Sequence, residues 1–172
     1  MLQNNIRKYK NITPKIAENC YIDEFARVIG DVHIGNLSSV WPGCVIRGDV
    51  NHIRIGKKTN IQDGTIIHVW RHEGPTIIGD NVTIGHQALL HACILEDNCF
   101  IGMGAIVMDK ALVETGAMVA AGAVVTPNKI VKKDEIWAGN PAKFMRKLTQ
   151  QESDFIAISA DNYVKLASEY TE

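Results

Sequence analysis

The chain has 172 residues, a length for one domain, with 46% apolar and 22% charged residues as in ordinary globular proteins. Eighteen Lys and Arg against nineteen Asp and Glu leave a net charge of −1. That balance excludes the basic footprint of a nucleic-acid binder or of a protein drawn to anionic membranes. Within the apolar fraction, 22 Ile and 14 Val stand against 8 Leu, and aromatic residues are 6%. Branching at Cβ suits a pleated surface, so the composition points to an all-β fold and away from a helical bundle.

The opening stretch, MLQNNIRKYKN, lacks an apolar run of secretory length, and no run long enough to span a membrane follows. A cytoplasmic location is expected. The four cysteines, Cys20, Cys44, Cys93 and Cys99, form no CxxC pair and read as small core residues in a reducing compartment.

From Ile16 onward a six-residue repeat organises the chain. Ile16, Ile22, Val28, Ile34, Val40 and Ile46 keep strict spacing. After an insertion around His52 the count resumes at Ile55, Ile61 and Ile67, and after VWRHEGPT at Ile78, Ile84 and Leu90. With one residue skipped, Leu95, Ile101, Val107, Val113, Val119, Val125 and Val131 follow. Four residues after each of these stands, in most hexads, a small residue such as Ala26, Cys44, Thr65, Ala88, Cys99 or Ala117. A branched residue in a short strand and a small one near a turn describe a coil with flat sides. Each side is too short to bury a face alone, so successive coils must stack. Nineteen hexads, three to a coil, give about six coils, a β-helix over 10–137.

An extension over 138–172 in the same domain is expected to cover part of this prism. Thr149-x-x-Glu152 is a capping-box pattern, and Phe155, Ile158, Tyr163, Leu166 and Tyr170 give one apolar face of a C-terminal α-helix over about 150–170.

Counting faces puts Ile46, Ile67 and Leu90 on one side of successive coils. The residues that follow them, Arg47, His68 and His91, then form an outward ladder with rungs ~4.8 Å apart, close enough for two imidazoles to share a metal ion. His86, two after Ile84, lies on the preceding face and points elsewhere. It could join the pair only from a second prism packed alongside. Asn60, Gln62 and Asp63 flank Ile61 on the face of His86, one coil earlier. His33, His52 and His72 lack this alignment and read as surface or loop.

The repeat resembles the hexapeptide-repeat, left-handed parallel β-helix proteins. Arg47-Gly48-Asp49, Asn60-x-Gln62-Asp63, His68 and His86-x-x-x-x-His91 together resemble the γ-class carbonic anhydrases and their bacterial homologues, over residues 10–145 or so. The resemblance implies a homotrimer with metal sites between subunits and the reversible hydration of CO2 to bicarbonate by a metal-bound hydroxide. His68 and His91 of one chain and His86 of a neighbour would bind Zn²⁺, with Fe²⁺ or Co²⁺ as alternatives. Arg47 and Asp49 would pair across the interface, Gln62 would orient the hydroxide, and Asn60 and Asp63 would shape its surroundings. A tyrosine on the C-terminal helix, here Tyr163, would approach the metal. Two departures bear on proton transfer: Val50 stands where the family's prototype has a glutamate, and the loop from Trp70 to Pro75 replaces a long acidic one. Glu73 and His72 are the residues of that loop left for the task. Two other readings stay open: a hexapeptide acyltransferase using acetyl-CoA and a single catalytic histidine, and a non-catalytic metal-binding trimeric scaffold.

Overall fold

A strand of two residues gains few hydrogen bonds from a single neighbour, and most strands of this chain are that short. They are held by stacking. In the computed structural model, which describes residues 5–171, parallel strands pile into three faces of a β-helix. Face 1 stacks Val28, Ile46, Ile67, Leu90, Val107 and Val125. Face 2 stacks Ile16, Ile34, Ile55, Ile78, Leu95, Val113 and Val131. Face 3 stacks Ile22, Val40, Ile61, Ile84, Ile101 and Val119. Every pairing follows the hexad count. From Val28 onward each of these side chains is at most 5% exposed and points to the axis.

The count of six coils is one short. Ile6 pairs with Val28 on face 1, and Trp137 pairs with Val119 on face 3, so each face carries seven rungs. Neither end fits the hexad count: Ile6 stands ten residues before Ile16, off the six-residue spacing, and Trp137 is aromatic.

The corners explain the second column of small residues. Ala88, Ala105, Ala111, Ala117 and Ala123 are all buried there. Where the corner residue is polar, it bonds to the backbone of the next coil. Ser38 Oγ donates to the Gly56 carbonyl at 2.8 Å, Thr59 Oγ1 to Gly79 at 2.8 Å, and Cys44 Sγ to Gln62 at 3.1 Å. Cys93 occupies a corner too, and burial pushes its thiol and that of Cys99 up to about 12. All four thiols are free.

One corner, between faces 1 and 2, departs from this regularity. The insertion at 48–52, the loop 69–75 and the skipped residue at 92–93 all fall there, on consecutive coils. Chains approach closely at its start: a Cβ on Gly30 would sit 2.3 Å from the Gly48 carbonyl oxygen, and one on Gly48 2.5 Å from that of Asp31. Gly48 of the Arg-Gly-Asp run is therefore a packing requirement.

The last coil is closed by an antiparallel hairpin, Glu135–Gly139 with Ala142–Lys147. The helix α1, Gln150–Glu169, then runs back along the outside of face 3. It begins with the expected capping box, Thr149 and Glu152 each accepting from the other's backbone. Its inward face differs from the expected one. Ile156, Ser159, Ala160 and Ala167 are buried, whereas Phe155, Ile158, Leu166 and Tyr170 are at least a third exposed. Small residues let the helix approach a flat sheet whose outward row includes Asn60 and Thr83, and that polar row favours Ser159 over a large apolar side chain. Tyr170 and Tyr163 instead edge onto Trp41, with ring centroids 5.2 and 5.7 Å away. No helix among the described residues is long and apolar enough to cross a membrane.

Two measurements check this account. Ile84→Ala, at a fully buried rung, is expected to destabilise the protein by about 2–5 kcal/mol in denaturant unfolding. Arg146 grips Glu152 with two bonds of 2.8 Å, and this, with the Thr149 backbone N–H, lowers the Glu152 carboxyl to about 2. Its contribution is complete above about pH 4.5 and is lost as pH falls through about 2. The difference between wild type and Glu152→Gln, followed by helical circular dichroism, should shrink across that interval; a constant difference would contradict the assignment.

Candidate metal centre

His68 ends the strand Ile66–His68 and His91 ends Leu89–His91, paired rung to rung on face 1. Their side chains leave the prism beside the irregular corner with ring centroids 5.3 Å apart. The ladder read from the hexad count is therefore present. Arg47 lies in the strand of the preceding coil.

Each imidazole is anchored by a carboxylate. His91 Nδ1 lies 2.6 Å from Asp109 Oδ1, and His68 Nε2 lies 2.9 Å from Asp49 Oδ1. An ionised carboxylate only accepts, so in a neutral imidazole the bonded nitrogen carries the proton and the other keeps its lone pair. Asp49 also receives Arg47 Nη1 through its second oxygen. Its partial burial raises its carboxyl pKa, but bonds from His68 and Arg47 outweigh this and hold it below the usual range. Within one chain, then, Arg47 and Asp49 pair with each other.

His86 stands where the face count put it, two residues past Ile84 on face 3. Its Nδ1 lies 2.9 Å from Asp63 Oδ2. No group of three metal-ligating side chains gathers within one chain among the described residues. Around His86 the other expected residues do assemble. Gln62 Nε2 donates to Asn60 Oδ1 at 3.0 Å, and Asn60 Nδ2 donates to Thr83 Oγ1 at 2.9 Å. Gln62 and His86 share a groove of about 250 Å³ with Phe100, Met103 and Met118. Tyr163 borders this half of the site: burial, then the charge of Asp63, push its phenol up.

The loop Trp70–Pro75 lies beside the other half. Gly74 is so close to Ala92, the residue after His91, that a Cβ on it would lie 2.5 Å from the alanine Cβ. Lys110 clamps the loop, with Nζ 2.5 Å from Glu73 Oε2 and 5.3 Å from the Trp70 ring centroid. The hydrogen bond from Lys110 lowers the Glu73 carboxyl, and His72 beside it is exposed.

Sequence reasoning missed Asp109 and Lys110. They stand two and three residues past Val107, the face 1 rung after Leu90, outside the position directly after the rung that Arg47, His68 and His91 share. Thr83 and Ser159 were missed as well, since their importance comes only from what they touch.

Comparison with known proteins agrees with this geometry. Family models described as "Bacterial transferase hexapeptide (six repeats)" and "Hexapeptide repeat of succinyl-transferase" match residues 13–48 and, for the second, 75–109 and 92–127. The mitochondrial gamma carbonic anhydrase 2 of Arabidopsis thaliana is 51% identical over 160 residues. That match covers 90% of this chain and 58% of the relative, so the chain spans about three-fifths of that protein's length. A carbonic anhydrase of Geobacillus kaustophilus is 45% identical over 86% of this chain and 80% of its own. Among solved structures, a hexapeptide transferase family protein from Anaplasma phagocytophilum superposes with a TM-score of 0.93 at 48% identity, covering 96% of this chain and 97% of that one. Identity at this level, sustained over nearly the whole chain, means that the chain belongs to the γ-class carbonic anhydrase family.

Proposed function

We propose that this chain is the subunit of a metal-dependent homotrimer that interconverts CO2 and bicarbonate. One observation carries the reading: two stacked imidazoles on face 1 are each hydrogen-bonded to a carboxylate at one nitrogen, and a third imidazole on face 3 has its Nδ1 2.9 Å from Asp63 Oδ2. Ligating histidines are commonly oriented this way, so the donor set fits a Zn²⁺ ion, with Fe²⁺ or Co²⁺ as alternatives. His68 and His91 would hold the metal together with His86 of the partner subunit, because a rigid prism cannot bring its own faces together. When bound, such an ion makes water acidic enough to supply a nucleophile near neutral pH.

The chain's own residues then have separate tasks. Gln62 gives its nitrogen to Asn60, which leaves its carbonyl oxygen to accept a proton-bearing group in the groove. Asp63 lies beside the ring of His86, and Tyr163 on the helix feels the charge of Asp63. Phe100, Met103 and Met118 line the groove with apolar surface suited to an uncharged substrate. Arg47, 43% exposed at its side chain, can extend its pairing toward a neighbouring chain. Hydration releases a proton to solvent. Glu73, held ionised by Lys110, is a weak base, which leaves His72 as the loop's group for that transfer. Four free thiols suit a reducing compartment such as the cytoplasm.

Acyl transfer from acetyl-CoA is the second reading, favoured by the transferase name of the Anaplasma protein. It needs one histidine as base and leaves the other two anchored imidazoles without a purpose.

The two-chain site can be tested by mixing subunits. His68→Ala and His86→Ala variants should each lose bound metal and CO2 hydration. In a three-fold assembly an intact site needs His68 from one neighbour and His86 from the next, so an equal co-refolded mixture should regain about a quarter of wild-type metal and activity. A monomer with full metal would sink the proposal. Full metal without hydration would favour the scaffold, and acetyl-CoA-dependent turnover in both variants would favour the transferase. Asp109→Asn, which weakens the anchor of His91, should lower metal affinity about 10–100-fold in a chelator competition.

A further inference from the structure

Four buried polar side chains run in a line from the C-terminal helix to the groove. Ser159 on α1 lies 3.0 Å, oxygen to oxygen, from Thr83 Oγ1. Thr83 accepts from Asn60 Nδ2, and Asn60 Oδ1 accepts from Gln62 Nε2. None is more than 6% exposed. Among the described residues no buried side-chain nitrogen or oxygen lacks a partner. The carbonyl oxygen of Gln62 satisfies that condition by opening onto the groove it shares with His86.

We infer that Thr83 and Ser159 are positioning residues that set which end of the Gln62 amide faces the reacting groups. The inference rests on the carbonic anhydrase reading of that groove. Its physical basis is the cost of an orphaned buried donor. Asn60 has one amide group and two neighbours; Thr83 Oγ1 accepts from Nδ2 and, with its own proton given to Ser159 Oγ, offers Asn60 no donor, so Oδ1 turns to Gln62. Gln62 must then give its nitrogen and present its oxygen. Replacing Thr83 by valine keeps the shape and removes the acceptor. An unpaired buried N–H is worse tolerated than an under-satisfied carbonyl, so Asn60 inverts and offers Nδ2 to Gln62. The Gln62 amide inverts in turn and presents a donor to the groove. Ser159 supports the Thr83 hydroxyl from the helix. The docking of α1 on face 3 is thereby linked to the polarity of a groove residue.

Side-chain amide exchange reads this directly. Gln87, Gln150 and Gln151 are exposed and Gln3 lies outside the described residues, so in metal-loaded protein labelled with nitrogen-15 at glutamine the Gln62 side-chain amide is identified by its absence from Gln62→Glu. In Thr83→Val that amide is expected to exchange at least about tenfold faster, with CO2 hydration kcat/KM about tenfold lower at unchanged metal content. Ser159→Ala should show a smaller change in the same direction, and Thr83→Ser should restore both readouts. Wild-type exchange at Gln62 in both Thr83→Val and Ser159→Ala would overturn the inference. A metal-loaded wild type that fails to hydrate CO2 would overturn the functional reading instead, because the exchange readout needs no turnover.

Discussion

A two-residue strand cannot hold a sheet, and nearly everything in this molecule follows from that. Each rung must find its hydrogen bonds and its apolar contacts in the coil above and the coil below. The inward position admits one branched aliphatic side chain per side, and the corner beside it admits only a small one. Polar corner residues such as Ser38 and Thr59 satisfy themselves on the next coil's carbonyls, which ties the stack at its edges as well as its faces. Such a stack is stiff, because moving one rung disturbs two neighbours.

Stiffness makes the exceptions informative. Insertions are tolerated only where a loop can leave the prism without interrupting a rung. Here the extra residues at 48–52 and 69–75 and the missing one at 92–93 share a single corner on consecutive coils. Arg47, Asp49, His68 and His91 stand at that corner, and the loop is held over it by Lys110 from two coils further on. The three breaks in the hexad count, which look like noise in a linear sequence, are one place in space.

Because the register is a matter of counting, most of the fold could be read from residue order. The pairing of His68 with His91 and the separation of His86 are consequences of the same count. What could not be read depended on contacts outside the repeat. Ile6 and Trp137 belong to the stack, but Ile6 breaks its spacing and Trp137 its composition rule. The helix was recognisable from Thr149 and Glu152, yet its inward face was not. A large apolar stripe is the usual guide to burial, and face 3 instead took Ser159, Ala160 and Ala167 against its polar row. Asp109 was overlooked for a related reason: a carboxylate on an exposed row carries no mark in sequence that it will anchor an imidazole one coil away.

The separation of the imidazoles then has a consequence for how such a protein can be controlled. A site within one flexible domain can be assembled or dismantled by moving loops, but no motion available to this prism brings face 3 to face 1. Under the proposed function the donors meet only when two chains do, so subunit association and metal binding are thermodynamically linked and each strengthens the other. The same reasoning separates the two halves by task. On that proposal the face 1 half would contribute the paired ligands and the loop through which a proton leaves. The face 3 half would contribute the third ligand, the oriented amide of Gln62 and the apolar lining. Only the face 3 half is backed by α1, whose Ser159 reaches Thr83 behind Gln62. A disturbance of the helix should therefore alter substrate handling before it alters the pair of imidazoles on the other face.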